Sequence, residues 1–230
     1  MENNNLNGFS SEWDACYSDN RQMSVWPWSD LVSLVNRYCK NLLISGGRVL
    51  ELGCGPGANI PFFLKYGIDY SAIEGSATIV DQLHHRYPSI EKQIYLGDFT
   101  RNLFSLNGLD LIIDRASLTH NNTASIRRAL EASWNALKPG GYYIGIDWFS
   151  GEHSDLSTGE LIDDNNTVTK IKEGSFSGIG KVHFSDEIHL NDLFSRFEII
   201  LLEQKLKKRF MPADGHQFAA WNIVARRPLE

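Results

Sequence analysis

The chain has 230 residues, 42% of them hydrophobic, and a formal charge of −6, enough material for one large core. No apolar run approaches the ~20 residues a membrane span requires, and the polar residues 1–8 lack the basic-then-apolar layout of a secretory signal. The acidic balance argues against a nucleic-acid partner. Three scattered cysteines, Cys16, Cys39 and Cys54, offer neither a disulfide framework nor a CxxC metal site, so a cytoplasmic setting and no bound metal are expected.

Residues 1–47 read as a helical cap. After the aromatic stretch Val25-Trp26-Pro27-Trp28, Ser29 can cap a helix that carries Leu31, Leu34, Val35 and Tyr38 on one side. Residues 48–52 form a first apolar strand, followed by a glycine-rich turn. Ile60, Phe63 and Leu64 then make one helical face, with Pro61 tolerated in its first turn. A second strand, 70–73, is closed by Glu74; Ser76 can cap a helix with Ile79, Leu83 and Tyr87 buried, ended by Pro88. A short third strand, 93–96, leads to Gly97-Asp98-Phe99. The apolar run 109–113 suits the centre of a sheet and places Asp114 and Arg115 at its carboxyl end.

A helix with Ile126, Leu130, Trp134 and Leu137 on one face is stopped by Lys138-Pro139-Gly140-Gly141 before a fifth strand, 142–147. Strands alternating with helix-period segments describe a parallel sheet with helices on both faces. Residues 150–192 break that rhythm. They hold nine acids against three lysines, the whole net charge, and are too long for a simple connection, so they read as a lid or substrate subdomain. A capped helix near 185–194 and two strands, 197–202 and 219–225, complete the chain; Lys205, Lys207, Lys208 and Arg209 fall between the strands, as a solvated hairpin loop would. One domain is expected, with cap 1–47, core 48–149, insertion 150–192 and C-terminal strand pair 193–230.

Glu51-Leu52-Gly53-Cys54-Gly55-Pro56-Gly57 sits where a parallel strand turns into a helix, the place where open α/β sheets bind ligands. Gly53, Gly55 and Ala58 also satisfy the G-x-G-x-x-G/A pattern of dinucleotide-binding proteins, so glycine spacing leaves two cofactor classes open. Glu51 helps to decide, because a carboxylate two residues before the first glycine suits a ligand ammonium group and repels a pyrophosphate. S-adenosylmethionine brings an ammonium, a sulfonium and an adenosine. Glu74 can then meet the ribose hydroxyls, while Asp98 accepts from the adenine amino group and Phe99 packs on the ring.

Taken together, E-L-G-C-G-P-G, Glu74, Gly97-Asp98-Phe99, Leu109-Asp110-Leu111-Ile112-Ile113-Asp114 and Lys138-Pro139-Gly140-Gly141 resemble the class I S-adenosylmethionine-dependent methyltransferase family over residues 48–150. The resemblance implies a Rossmann-like, seven-stranded, mostly parallel sheet in order 3-2-1-4-5-7-6, the seventh strand antiparallel. It also implies cofactor contacts at Glu51, Gly53, Gly55, Gly57, Glu74, Asp98 and Phe99, and more loosely at Asp114 and Arg115, where the fourth strand faces the methyl group. No N-P-P-Y or D-P-P-Y motif follows that strand, which carries Asp114-Arg115-Ala116-Ser117 instead. Base methylation is thereby disfavoured, and a small-molecule acceptor expected. Residues 24–29 look like stretches of bacterial methyltransferases from surface-carbohydrate pathways.

His120, six residues beyond Asp114, is the candidate base for a hydroxyl or amine; capping the following helix, or shaping the pocket, are its alternatives. Tyr17, Trp26 and Trp28 are candidates for substrate contact, or else staples onto the core. The other histidines show no ligand spacing, and Cys54 reads as a filler. The acidic insertion suggests a neutral or cationic acceptor. Two rivals remain at this level: a nicotinamide-dependent oxidoreductase and a non-catalytic S-adenosylmethionine-binding module.

Overall fold

The computed structural model describes residues 11–162 and 164–230. Residues 1–10 of the expected cap, with their polar start, and Asp163 of the insertion lie outside the described residues. The strands are β1 (Arg48–Leu52), β2 (Asp69–Glu74), β3 (Ile94–Leu96), β4 (Leu109–Arg115), β5 (Leu137–Phe149), β6 (Glu160–Leu161), β7 (Thr167–Thr169), β8 (Val182–His183), β9 (Glu198–Phe210) and β10 (Ala213–Arg226). The helices are α1 (Ser11–Ser18), α2 (Ser29–Tyr38), α3 (Lys40–Ser45), α4 (Ile60–Lys65), α5 (Ala77–Arg86), α6 (Thr123–Ala136) and α7 (Glu187–Leu193).

Seven strands form one sheet in the order β3-β2-β1-β4-β5-β10-β9, with β1 to β5 parallel and β10 antiparallel to both its neighbours. With the three short strands of the insertion counted apart, this is the expected order. Strand alternation sends Val49 to one face, where α2, α4 and α5 bury Leu34, Phe63 and Leu83, and sends Leu50 and Leu52 to the other, against Ile126 and Leu130 of α6 and Leu190 of α7. The carboxyl ends of β1, β2 and β4 therefore line up along one edge. The insertion folds as a separate three-stranded sheet, β6-β7-β8, around Val168, Ile171, Phe176, Val182 and Phe184. It is stitched to the end of β5 by a bridge between Ser150 and Ser185. Among the described residues, no helix is long and apolar enough to cross a membrane.

Three helix caps follow the residue chemistry: Ser76 accepts from Ile79 N, Asn122 from Ser125 N and Asp186 from His189 N. Three local expectations are corrected. Ser29 is the first residue of α2 rather than its cap, because the chain enters the helix through Trp28, whose own N–H donates to Asn59 Oδ1. Lys138-Pro139-Gly140-Gly141 lies inside β5 as a bulge, since Leu137 already pairs with Leu109 before Tyr142 pairs with Leu111. The lysine run is strand, not loop: β9 and β10 stay paired through Lys205, Lys207 and Lys208, and the hairpin turns only at Met211-Pro212. β9 is the sheet's edge, where lysines hinder pairing with another chain.

Candidate active site

The glycine turn is built from β1 outward. Gly53 takes φ 68°, and a Cβ there would fall 2.4 Å from that of Ser117, so only glycine lets the turn pass beside the end of β4. Both oxygens of Glu74 brace this turn, one accepting from Gly55 N at 2.8 Å and the other from Ser76 N at 2.9 Å. Glu51 is 2% exposed. Its Oε1 accepts from Asn59 Nδ2 at 2.8 Å and its Oε2 from the Tyr70 hydroxyl at 2.5 Å. Burial nevertheless raises its pKa to about 7, opposed by those two bonds and assisted by the nearby charges of Asp114 and Glu74. Burial likewise raises the pKa of Glu74. A pair of carboxylates held out of water in this way is a cradle for a cation.

Above the turn opens a cavity of about 530 Å³, within the range of small-ligand sites. At one end it is lined by Glu51, Gly53, Gly55, Glu74, Asp98 and Phe99. Asp98 Oδ1 is held by the backbone and hydroxyl of Thr100. At the other end stand rings: Trp13 from α1, Trp28 before α2, His120, Phe149 at the end of β5, Phe176 of the insertion and Phe218 of β10. Tyr17 covers the space over Gly55. The cavity wall is thus closed by the two segments that flank the core in sequence, the cap and the insertion.

His120 sits among these rings, with centroids at 4.7 Å to Trp13, 5.6 Å to Phe149 and 6.3 Å to Phe176. Its Nδ1 lies 3.0 Å from the carbonyl of Lys181, which can only accept. Nδ1 therefore carries the hydrogen and Nε2 the lone pair. Burial first, and the positive Arg115 as well, lower its pKa to about 4, so the ring is neutral at physiological pH. Arg115 lies over Trp28 at 3.6 Å and donates through Nε and Nη2 to Asp147 Oδ2, at 3.0 and 2.8 Å. Asp147 Oδ1 in turn meets Lys205 Nζ at 2.6 Å, and Lys205 reaches Asp30 of α2 at 2.5 Å. This chain of charges ties the cap to the hairpin.

Of the residues proposed from sequence, the fold brings Tyr17, Trp28, Glu51, Gly53, Gly55, Glu74, Asp98, Phe99, Arg115 and His120 to the cavity. Three others do not line it. Asp114 is 1% exposed and turned into the protein, accepting from Ser117 N and Oγ, Leu118 N and Trp148 Nε1. Gly57 faces Leu83 and Ile60, and its conformation serves helix packing. Trp26 is 77% exposed, pointing away while Trp28 packs in. Sequence reasoning missed Trp13, Phe149, Phe176 and Phe218, single aromatics whose convergence is a property of the fold. It also missed Asn59, which holds both Glu51 and the entry to α2.

Residues 49–141 match a family model described as a methyltransferase domain. No curated protein sequence matches the chain. Among solved structures, it is similar to an S-adenosylmethionine-dependent methyltransferase from Methanosarcina mazei (TM-score 0.65, 18% identity, 84% of this chain and 97% of the other). It is also similar to the 1,6-didemethyltoxoflavin-N1-methyltransferase of Burkholderia thailandensis, solved with its acceptor and S-adenosylhomocysteine bound (TM-score 0.62, 16% identity, 95% and 86%). A third likeness is to a structure concerned with the conversion of a disulfide bond into a thioacetal group during echinomycin biosynthesis (TM-score 0.67, 19% identity, 96% and 94%). The structural likenesses establish the fold, and the family model spans β1 to the Gly140-Gly141 bulge, the part that carries the cavity's carboxylates. Residues 49–141 thus match a methyltransferase domain, and the chain shares its fold with S-adenosylmethionine-dependent methyltransferases.

Proposed function

We propose that this enzyme methylates a hydroxyl or N–H group on a small ring-bearing acceptor held beside His120. The observation that carries the reading is one cavity with two chemistries: carboxylates and glycine backbone at one end, aromatic rings around a neutral imidazole at the other. S-adenosylmethionine, when bound, supplies a methyl group on a sulfonium. In this reading Glu51 receives the ammonium, and Gly53 and Gly55 admit the ligand to the backbone. The oxygens of Glu74 keep lone pairs for ribose hydroxyls, and Asp98 with Phe99 take the adenine.

His120 Nε2 accepts the hydrogen of the acceptor group and holds it in line. With a pKa near 4 it is a weak base, so orientation and water exclusion by the cap and insertion carry most of the acceleration. Orientation supplies roughly 7–11 kcal/mol, whereas a positioned base adds about 10²- to 10⁴-fold. The Burkholderia neighbour accommodates a small acceptor together with S-adenosylhomocysteine in the same fold, which supports a similar sharing of the cavity here.

Sugars of a carbohydrate pathway, whose C–H faces stack on aromatic rings, are the first acceptor class to screen; ring compounds with acidic N–H or O–H groups are the second. The test is mass spectrometry of purified protein for co-purifying S-adenosylhomocysteine, then a methyl-release screen over both classes. Turnover only on open-chain amines or on nucleic acid would overturn the acceptor assignment.

A further inference from the structure

We propose that His153, Asp155 and His216 form a binding site for one divalent transition-metal ion of the zinc type, separate from the cavity of the methyl transfer. His153 and Asp155 stand in the turn that leaves β5, and His216 near the start of β10. His216 Nε2 lies 2.6 Å from Asp155 Oδ1, and His153 Nδ1 lies 3.6 Å from the same oxygen. One ligand atom from each residue falls within 4.8 Å of the other two. Ligand bonds of 2.0–2.1 Å in a four-coordinate zinc site set neighbouring ligand atoms roughly 3.3 Å apart, so an ion can enter this triangle with shifts of about 1 Å.

The charges favour it. Asp155 is 1% exposed, and among the described residues its ion pairs are with these two imidazoles alone. A carboxylate this deep needs a compensating positive charge, which a cation held between the two imidazoles would supply. His153 is equally buried; its Nδ1 lone pair accepts the N–H of Asp155 at 3.1 Å, a bond that a metal on Nδ1 would displace, while its Nε2 has no partner. His216 is partly exposed, which leaves an entry path and room for water as a further ligand. Two imidazoles and a carboxylate suit zinc and its first-row neighbours.

The ion would be structural. His153 packs on Phe176 at 4.8 Å and Phe218 at 5.2 Å, and these two rings, not the ligands, line the cavity. Asp155 Oδ2 also accepts from Phe176 N at 2.9 Å, and Gly174 approaches so closely that a Cβ there would meet Oδ1 at 2.1 Å. A metal on Asp155 would therefore clamp the insertion loop bearing Phe176 to the β10 hairpin and fix one wall of the acceptor chamber.

The experiment uses the full chain, stripped with a chelator and titrated with Zn²⁺ by calorimetry and with Co²⁺ by visible absorption. One ion per chain is expected, with Co²⁺ giving the ligand-field bands of a four-coordinate site and Zn²⁺ raising the melting temperature. His216→Ala removes a partly exposed side chain and should fold, yet bind Zn²⁺ at least about tenfold more weakly and lose the Co²⁺ bands. His85→Ala, on the exposed face of α5, should match the wild type. Absence of stoichiometric binding would reduce the three residues to a hydrogen-bonded latch and overturn the proposal. Equal affinity in His216→Ala would overturn it too, placing the ion elsewhere, for instance on the His183–His189 pair, whose Nε2 atoms lie 3.1 Å apart.

Discussion

Glu51→Gln keeps a hydrogen-bonding group opposite Asn59 and Tyr70 while deleting the charge buried between them. In the unfolded chain this carboxyl gives up its proton near pH 4.5, but in the folded chain only near 7. Between those values the folded state holds more protons, so this group's contribution to stability declines as pH rises through the window, and the full penalty is present above it. The interval corresponds to roughly 3 kcal/mol. At about 2–4 °C per kcal/mol for a chain of this size, ligand-free Glu51→Gln should melt up to roughly 6–12 °C above the wild type at pH 8, with almost no difference at pH 5. Scanning calorimetry from pH 5 to 8 reads this directly. S-adenosylhomocysteine should reverse the order by supplying the wild type with an ammonium. Its binding at pH 7 should release about half a proton, measured in two buffers of different ionisation heat. Melting curves that stay parallel across the pH range would refute the premise that Glu51 is a desolvated carboxylate awaiting a cation.

Glu74→Ala frees Gly55 N and Ser76 N together, and calorimetry should show S-adenosylmethionine affinity falling at least about tenfold; unchanged affinity would remove its role. Asp114→Asn should instead cost about 2–3 kcal/mol of stability in denaturant titrations while leaving affinity within roughly threefold, because its partners are Ser117, Leu118 and Trp148 rather than the ligand. His120→Ala should slow turnover by about 10²-fold or more at unchanged cofactor affinity, and no inflection due to His120 should appear in the rate between pH 6 and 8. Burial lowers the pKa of His120 to about 4 and of His183 to about 3, whereas both charge near 6.5 when unfolded. Stability from these two groups is lost as pH falls below 6.5, against the opposite trend of the buried carboxyls Glu51 and Glu74. A neutral replacement such as His183→Asn should therefore gain stability relative to the wild type as pH falls from 7 to 5, read by chemical denaturation.

The sheet was legible because each parallel strand is a short apolar run ending in a glycine or an acid, and because Ser76 carries the cap chemistry its position requires. The cavity's carboxylates were legible for the same reason: Glu51, Glu74 and Asp98 each sit at or just beyond the end of a strand that the pattern locates. Asp114 shares that position and yet turns inward, since Ser117 and Trp148 offer it better partners than the cavity does. The ring-lined part of the cavity was not legible. Trp13, Phe149, Phe176 and Phe218 are scattered over four segments, and nothing in local spacing unites them. Lys205 was misread because a run of cations resembles solvated loop, although Leu202, Gln204 and Leu206 continue a two-residue alternation past it. His153 and Asp155 stand 63 and 61 positions before His216, so any shared role is invisible to motif spacing.

Asp30 meets Lys205 and Asn222, partners 175 and 192 positions away. During synthesis, the glycine turn, Glu74 and Asp98 emerge long before the hairpin that secures α2. On the assignment proposed above, the carboxylates for the cofactor all precede residue 100, whereas the contacts that hold α2 over the cavity come from β9 and β10. Asp30→Ala, which frees α2 from the hairpin without removing a strand, should accordingly leave S-adenosylmethionine affinity near the wild-type level while slowing turnover.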